Sequence, residues 1–308
     1  MYFQRLKKGD KVALVAPAGP ITLERLKKTV SILENLGLVP VWSNNILKRW
    51  GYLAGTDEQR LADLCWAYTD PGIKAVFAVR GGYGTTRLLN DLNYRFIRRN
   101  KKFLFGFSDI TALQMALYKK AGLISLHAHT ASLEYDFTKE IFHALMFRCE
   151  PIELDFVTDF TPQPSVLKPG FATGRLLGGN LSLLVSLIGT GFLPKFRNNI
   201  VFIEEVNEPP YKIDRMLTQL LTATDLLSAS GIVFGIFNKC NRKDFYNDVS
   251  MSLSLKEVLL DRLKFFPGPI IGGFPLGHIE KMSILPIGAK VALDTQKLKI
   301  KLLKPICR

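Results

Sequence analysis

Two periodicities alternate through the first 130 residues, and this alternation restricts the fold more than any other feature of the chain. Lys11-Val12-Ala13-Leu14-Val15-Ala16-Pro17, Val39 to Trp42 and Ala75 to Arg80 are short runs, nearly continuous in apolar residues. Between them lie helical patterns. Leu23 to Leu36 is amphipathic and ends at Gly37, and Thr56 stands where an N-cap would open a helix with Leu61, Leu64, Cys65 and Tyr68 on one face. Leu123 to Ala128 continues the series. Strands apolar on both faces and separated by helices predict a parallel sheet covered on both sides, a Rossmann-like α/β domain.

At 308 residues the chain exceeds the size at which one core usually stops growing, so two domains are expected. The texture changes near residue 155. Asp155 to Gly170 holds three prolines and no periodicity. The expected division is an α/β domain over 1–154, a linker over 155–171 and a smaller α/β domain with extra β-strands over 172–308. The second domain opens on the glycine-rich Gly178-Gly179-Asn180 and a helix through Leu187. Strands at Asn199 to Glu204, Ile232 to Phe237 and Pro269 to Phe274 alternate with helices at Tyr211 to Leu227 and Leu255 to Phe265. Leu285 to Leu303 reads as two short strands.

The net charge of +14 gathers at Arg98-Arg99-Asn100-Lys101-Lys102 and at Lys297, Lys299, Lys301 and Lys304. No nucleic-acid motif accompanies these clusters, so they read as a solvated basic surface that attracts anionic small molecules. No apolar run reaches the ~18 residues of a spanning helix. The first ten residues, MYFQRLKKGD, have no apolar core of a signal peptide, and a cytoplasmic protein is expected. The four cysteines, at 65, 149, 240 and 307, form no C-x-x-C pair and are expected to be reduced thiols.

One segment carries the chemistry. In Lys102-Phe103-Leu104-Phe105-Gly106-Phe107-Ser108-Asp109-Ile110-Thr111 an apolar run meets a glycine and a serine, and Ile110, Leu113, Gln114 and Leu117 then follow at helical spacing. Such a strand–turn–helix unit exposes the Ser108 hydroxyl beside the free N–H groups of a first helical turn, the placement of a serine nucleophile. A serine needs a base, and the chain has four histidines. His143 falls inside a helical pattern, and His127 and His129 end a strand. His278 stands past a buried strand after Pro275 and Gly277 and is the better base. Glu204, Glu205 and Glu208 are rival acids at the end of the Asn199 strand. Arg80-Gly81-Gly82-Tyr83-Gly84 leaves another strand end and opens a helix over Thr85 to Leu92. Its glycines admit a ligand close to the backbone, or supply half an oxyanion hole. A zinc site of His127 and His129 with Glu204 or His278 is the rival chemistry.

Several of these motifs occur together and in order: Ala78-Val79-Arg80-Gly81-Gly82-Tyr83-Gly84, Gly106-Phe107-Ser108-Asp109-Ile110-Thr111-Ala112, Gly178-Gly179-Asn180-Leu181, Phe202-Ile203-Glu204-Glu205-Val206-Asn207-Glu208-Pro209-Pro210-Tyr211, and Gly277-His278 before Leu285-Pro286-Ile287-Gly288-Ala289. Over nearly its whole length the chain resembles the muramoyl-tetrapeptide L,D-carboxypeptidases, a family that includes the microcin C immunity peptidases. The resemblance implies a Ser108–His278–Glu204 triad assembled at the domain interface. It also implies an oxyanion hole from the backbone N–H groups of Asp109 and of the Gly81-Gly82 turn, with Gly82 the candidate, and substrate contacts at Arg80, Gly81 and Tyr83. It implies no metal and no cofactor. The expected reaction is removal of the terminal D-Ala from cytoplasmic muropeptides. The alternatives are cleavage of acyl- or peptidyl-nucleotides and, in another class, non-catalytic binding of peptidoglycan fragments. The expected partners are a muropeptide or peptide substrate and a second copy in a homodimer, with neither nucleic acid nor membrane. The chain departs from the family at His127-Ala128-His129, where members commonly carry Gly-Pro, and at Ile279-Glu280-Lys281. The first departure bears on substrate preference.

Overall fold

Two threonines open the first two crossover helices. Thr22 Oγ1 accepts from Arg25 N and starts α1 (Leu23–Asn35). Thr56 and Gln59 cap each other's backbone at the start of α2 (Asp57–Thr69). These helices separate β1 (Lys11–Val15), β2 (Val39–Trp42) and β3 (Ile73–Ala78). The chain continues through α3 (Tyr94–Arg99), β4 (Phe103–Gly106), α4 (Ile110–Ala121), β5 (Ser125–His127) and α5 (Asp136–His143). The computed structural model describes residues 3–241 and 253–308.

The strands of this first unit order as β2-β1-β3-β4-β5, all parallel. Val12, Ala13, Val76 and Phe77 are buried on both faces, as the continuous apolar runs require. Because β1 lies between β2 and β3, the crossover from β1 to β2 runs one way along the sheet and the crossover from β3 to β4 the other. That reversal opens a crevice past the carboxyl ends of β1 and β3.

The second unit holds β6 (Glu153–Asp155), β7 (Ser165–Lys168), β8 (Phe171–Asn180), α6 (Leu181–Ser186), β9 (Ile200–Val206), α7 (Pro210–Ala223), β10 (Gly231–Asn238), α8 (Leu255–Arg262) and β11 (Ile270–Gly272). Its eight strands run β6-β14-β13-β8-β9-β10-β11-β7, with β13 (Lys290–Asp294) and β14 (Lys299–Leu302) from the end of the chain. The core of this sheet, β8-β9-β10-β11, is parallel and its flanks are antiparallel.

The structure differs from the sequence expectations at four places. The segment expected as a linker is part of the second unit, and its β7 pairs with β11. Residues 280–289 and 303–308 belong to the first unit, where β12 (Leu285–Ile287) adds an antiparallel edge to β5. The end of the chain therefore holds three strands in two sheets, an exchange that hydrophobic pattern cannot reveal. Thr85 to Leu88 is a single 3₁₀ turn and not a longer helix. Finally, Cys149 and Cys307 are joined in a disulfide, with Cα atoms 5.4 Å apart, while Cys65 and Cys240 are free. The partners lie 158 residues apart and meet because the chain returns to the first unit at its end. Among the described residues no helix is long and apolar enough to cross a membrane.

Candidate active site

In the first unit, β4 delivers the chain to Ser108 through Gly106. A side chain at Gly106 would collide with Ile110 of α4, so the glycine lets the helix turn back over its own strand. Ser108 takes φ 63°, a left-handed conformation costly for a residue with a Cβ. Thr111 N donates to Ser108 O at 2.9 Å, which locks the serine onto the first turn of α4. The strained turn presents a half-buried Ser108 between a strand end and a helix start.

The glycine turn after β3 packs directly on it. A Cβ built on Gly81 would stand 2.8 Å from Ser108 Cβ and 3.1 Å from its Oγ. Gly82, at φ 113°, faces the backbone of Gly19, whose N–H donates to Gly81 O at 3.0 Å. Asp109 joins the two turns. Its buried carboxylate accepts from Thr85 N at 2.9 Å and from Thr85 Oγ1 at 2.8 Å. Burial pushes this carboxyl up, and the Thr85 bonds oppose the shift. Arg60, buried, donates to Pro17 O and Gly84 O and pairs with Asp57, fixing the far end of the glycine turn. The sequence reading missed Arg60 and Thr85, since neither stands in a motif whose chemistry points to the turn.

In the second unit, β9 carries two adjacent carboxylates to opposite faces. Glu204 is fully buried, and its Oε2 lies 2.9 Å from His278 Nδ1. Gly235 of β10 leaves the room: a Cβ there would lie 3.2 Å from Glu204 Cβ and 2.5 Å from Leu276 O. His278 hangs on a loop stitched to β10, where Ile236 N donates to Leu276 O and Asn238 Nδ2 donates to His278 O at 2.7 Å. Gly277 sits at φ 137° with Ile236 O close behind it. One quarter of the His278 side chain is exposed. A buried carboxylate thus holds one imidazole nitrogen of a partly open histidine. Burial pushes the Glu204 carboxyl up, while hydrogen bonding to His278 pulls it down.

Glu205, its neighbour, is committed elsewhere. Oε1 accepts from Asn180 Nδ2 and Val206 N, and Oε2 accepts from Ser182 N and Oγ, all within 2.8 Å. Glu208 pairs with Lys212 at 3.0 Å. The H-x-H histidines are also engaged. Gln114 Nε2 donates to Gly106 O and Leu126 O, so its Oε1 faces His127 Nδ1 at 2.9 Å and accepts that proton. His127 is fully buried, edge-on to Phe107. His129 Nδ1 accepts from Ser132 N. No group of three His, Cys, Asp or Glu able to hold a metal occurs among the described residues. Of the expected substrate contacts, Tyr83 is exposed beside Tyr52, Arg80 is exposed with one nitrogen on Pro20 O, and Gly81 lies against Ser108.

The first unit thus carries a strained serine at a strand end, and the second a histidine held by a buried carboxylate. The chain belongs to the LD-carboxypeptidase family. The family's N-terminal domain matches residues 12–128, and its C-terminal domain matches residues 173–293. A relative in Bacillus subtilis strain 168, described as a probable murein peptide carboxypeptidase, is 37% identical over 300 residues, covering 94% of this chain and 90% of that one. The crystal structure of muramoyltetrapeptide carboxypeptidase from Oxalobacter formigenes aligns with TM-score 0.82 and 29% identity over 95% and 97% of the two chains. An MccF-like protein from Bacillus anthracis aligns with TM-score 0.87 and 26% identity over 99% of each.

Proposed function

We propose that the protein is a serine L,D-carboxypeptidase that removes the terminal D-Ala from murein tetrapeptide. The observation that carries the reading is the 2.9 Å contact between buried Glu204 and His278, in a family of carboxypeptidases, together with a serine on a strained strand–turn–helix. In this reading the second nitrogen of the His278 ring, Nε2, takes the proton of Ser108 as Oγ attacks the carbonyl carbon of the L–D peptide bond. The oxyanion accepts from the backbone N–H groups of Asp109 and Gly82. The tetrahedral intermediate collapses, His278 protonates the departing D-Ala amine, and an acyl-enzyme on Ser108 remains. Water, deprotonated by the same imidazole, releases the acid and restores Ser108. Glu204 holds the Nδ1–H tautomer and stabilises the imidazolium. The proposed reaction needs neither metal nor cofactor.

Two features favour the peptide over the nucleotide alternative: two of the three similar proteins are described as murein peptide or muramoyltetrapeptide carboxypeptidases, and none of the glycine turns has the order of a phosphate loop. The proposal includes a cytoplasmic setting and a homodimer. The Cys149–Cys307 bond weighs against a reducing compartment, and fractionation with light scattering tests both statements. For the reaction itself, purified protein is incubated with murein tetrapeptide and followed by mass spectrometry. Loss of one alanine, unaffected by chelator, is expected. Intact tetrapeptide alongside cleavage of an aminoacyl nucleotide favours the alternative. Binding without turnover favours the non-catalytic reading, and loss of activity to chelator revives the metal site.

A further inference from the structure

A cleft of about 460 Å³ opens in the first unit beside α1, and its polar lining includes Thr22, Glu24, Arg25, Lys28 and Arg80. Its position is the first reason to take it seriously. Arg25 follows β1 and Arg80 follows β3, the two strands that flank the reversal of the sheet, where parallel sheets place their ligands. Its charge is the second. Lys28 is held by Glu134 at 2.8 Å, but neither Arg25 nor Arg80 has a carboxylate partner among the described residues. Both guanidinium groups are anchored instead by backbone carbonyls: Arg25 Nε donates to Val79 O at 3.3 Å, and Arg80 donates to Pro20 O at 2.7 Å. Two like charges are thereby held in one cleft. Burial, and then the charge of Arg80, pull the Arg25 pKa down, so the pair resists its own proximity. An anion between them relieves that repulsion and gains charge-assisted hydrogen bonds from the donors left over.

The third reason is register along the chain. Arg80 directly precedes Gly81, which packs on Ser108. A peptide with its scissile carbonyl at Ser108 has its leaving residue only a few bonds long, ending in a carboxylate. We propose that Arg25 and Arg80 form the subsite that recognises the free C-terminal carboxylate of the substrate. The assignment rests on the carboxypeptidase reading and deepens it, since a carboxypeptidase must distinguish a chain end from an internal bond. It also gives Arg25, which no motif singled out, a role in specificity.

Calorimetry on the intact Ser108→Ala protein tests it with three probes: murein tetrapeptide, the same peptide amidated at its C-terminus, and inorganic phosphate. The free acid is expected to bind tighter than the amide by roughly 10- to 100-fold, the worth of one or two hydrogen bonds between charged groups. Arg25→Gln and Arg80→Gln, each in the same background, remove that ratio and leave the affinity for the amide as it was, which also reports that the variants are folded. Equal binding of acid and amide, a ratio that survives both substitutions, or no binding of the acid overturns the subsite. So does arginine-dependent binding of phosphate with no preference for the peptide acid. Turnover by the wild-type protein is read separately. An arginine-dependent preference without any cleavage refutes the carboxypeptidase reading and keeps the carboxylate subsite.

Discussion

The surroundings of Ser108 and those of His278 are built by different means. Around Ser108 the backbone does the positioning: a left-handed serine, glycines at 81, 82 and 106 without a Cβ to obstruct, and helix α4 starting two residues on. Around His278 two side chains add to the backbone bond between Ile236 N and Leu276 O: a buried carboxylate on one imidazole nitrogen and Asn238 on the carbonyl of the same residue. The first environment is therefore sensitive to added atoms, and the second to lost charge. A set of substitutions can separate the two, because each kind should harm one side far more than the other.

The largest effect is expected at the serine itself. Ser108→Ala removes one oxygen and leaves the backbone strain as it was, so the fold should persist. In the proposed mechanism it removes the nucleophile, which usually costs on the order of 10⁴ or more in kcat. A variant that keeps more than about a tenth of the wild-type kcat shows that Ser108 is not the nucleophile. Glu204→Gln comes next. It keeps the shape but loses the charge that, in the proposed mechanism, stabilises the imidazolium and fixes its tautomer, and a fall in kcat of about 10²–10⁴ is expected with KM little changed. Circular dichroism and kinetics on one substrate check both variants.

Gly81→Ala probes the backbone side directly. The new methyl would stand 2.8 Å from Ser108 Cβ, closer than side chains pack, so the serine or the glycine turn must shift. Displacement of a reacting group by about 1 Å can cost about 10²-fold, and we expect kcat to fall by roughly 10- to 100-fold with the thermal midpoint nearly unchanged. Wild-type kcat in this variant would mean that the two turns move freely past one another, and that the contrast between backbone-held and side-chain-held groups is wrong.

How much of this was legible in the sequence follows the same division. The parallel sheet could be read, because β1, β3 and β4 are apolar on both faces and local pattern suffices. The serine turn could be read for the same reason, since strand, glycine and helix are contiguous. The His278–Glu204 contact joins residues 74 positions apart, and only the resemblance to a family paired them beforehand. What failed depended on where the chain travels rather than on what it contains. Residues 155–171 lack periodicity because β7 is a four-residue edge strand among prolines, and nothing in Cys149 or Cys307 announces that the last residues return to the first unit. Asp109 was expected only as a backbone donor, and its carboxylate turns out to tie the serine turn to Thr85.

The smallest effect on activity, and the sharpest test of the contrast, lies one residue from Glu204. Glu205 is buried like its neighbour, yet all four of its hydrogen bonds serve structure: they tie Asn180 and Ser182 at the start of α6 to the end of β9 at Val206. Gln at this position replaces one acceptor oxygen with an NH₂ group. Whichever way the amide turns, it sets donors against donors, because Oε1 faces the Asn180 amide and the Val206 N–H, while Oε2 faces Ser182 N–H. A buried mismatch of this kind costs about 1–3 kcal/mol. Glu205→Gln should therefore lower the thermal midpoint measurably while kcat stays within a few-fold of wild type. Glu204→Gln should do the reverse, since it relieves a costly buried charge and, in the proposed mechanism, disables the base. If Glu205→Gln is folded and yet loses activity as severely as Glu204→Gln, the two faces of β9 have been assigned the wrong way round, and the acid that orients His278 must be sought at Glu205.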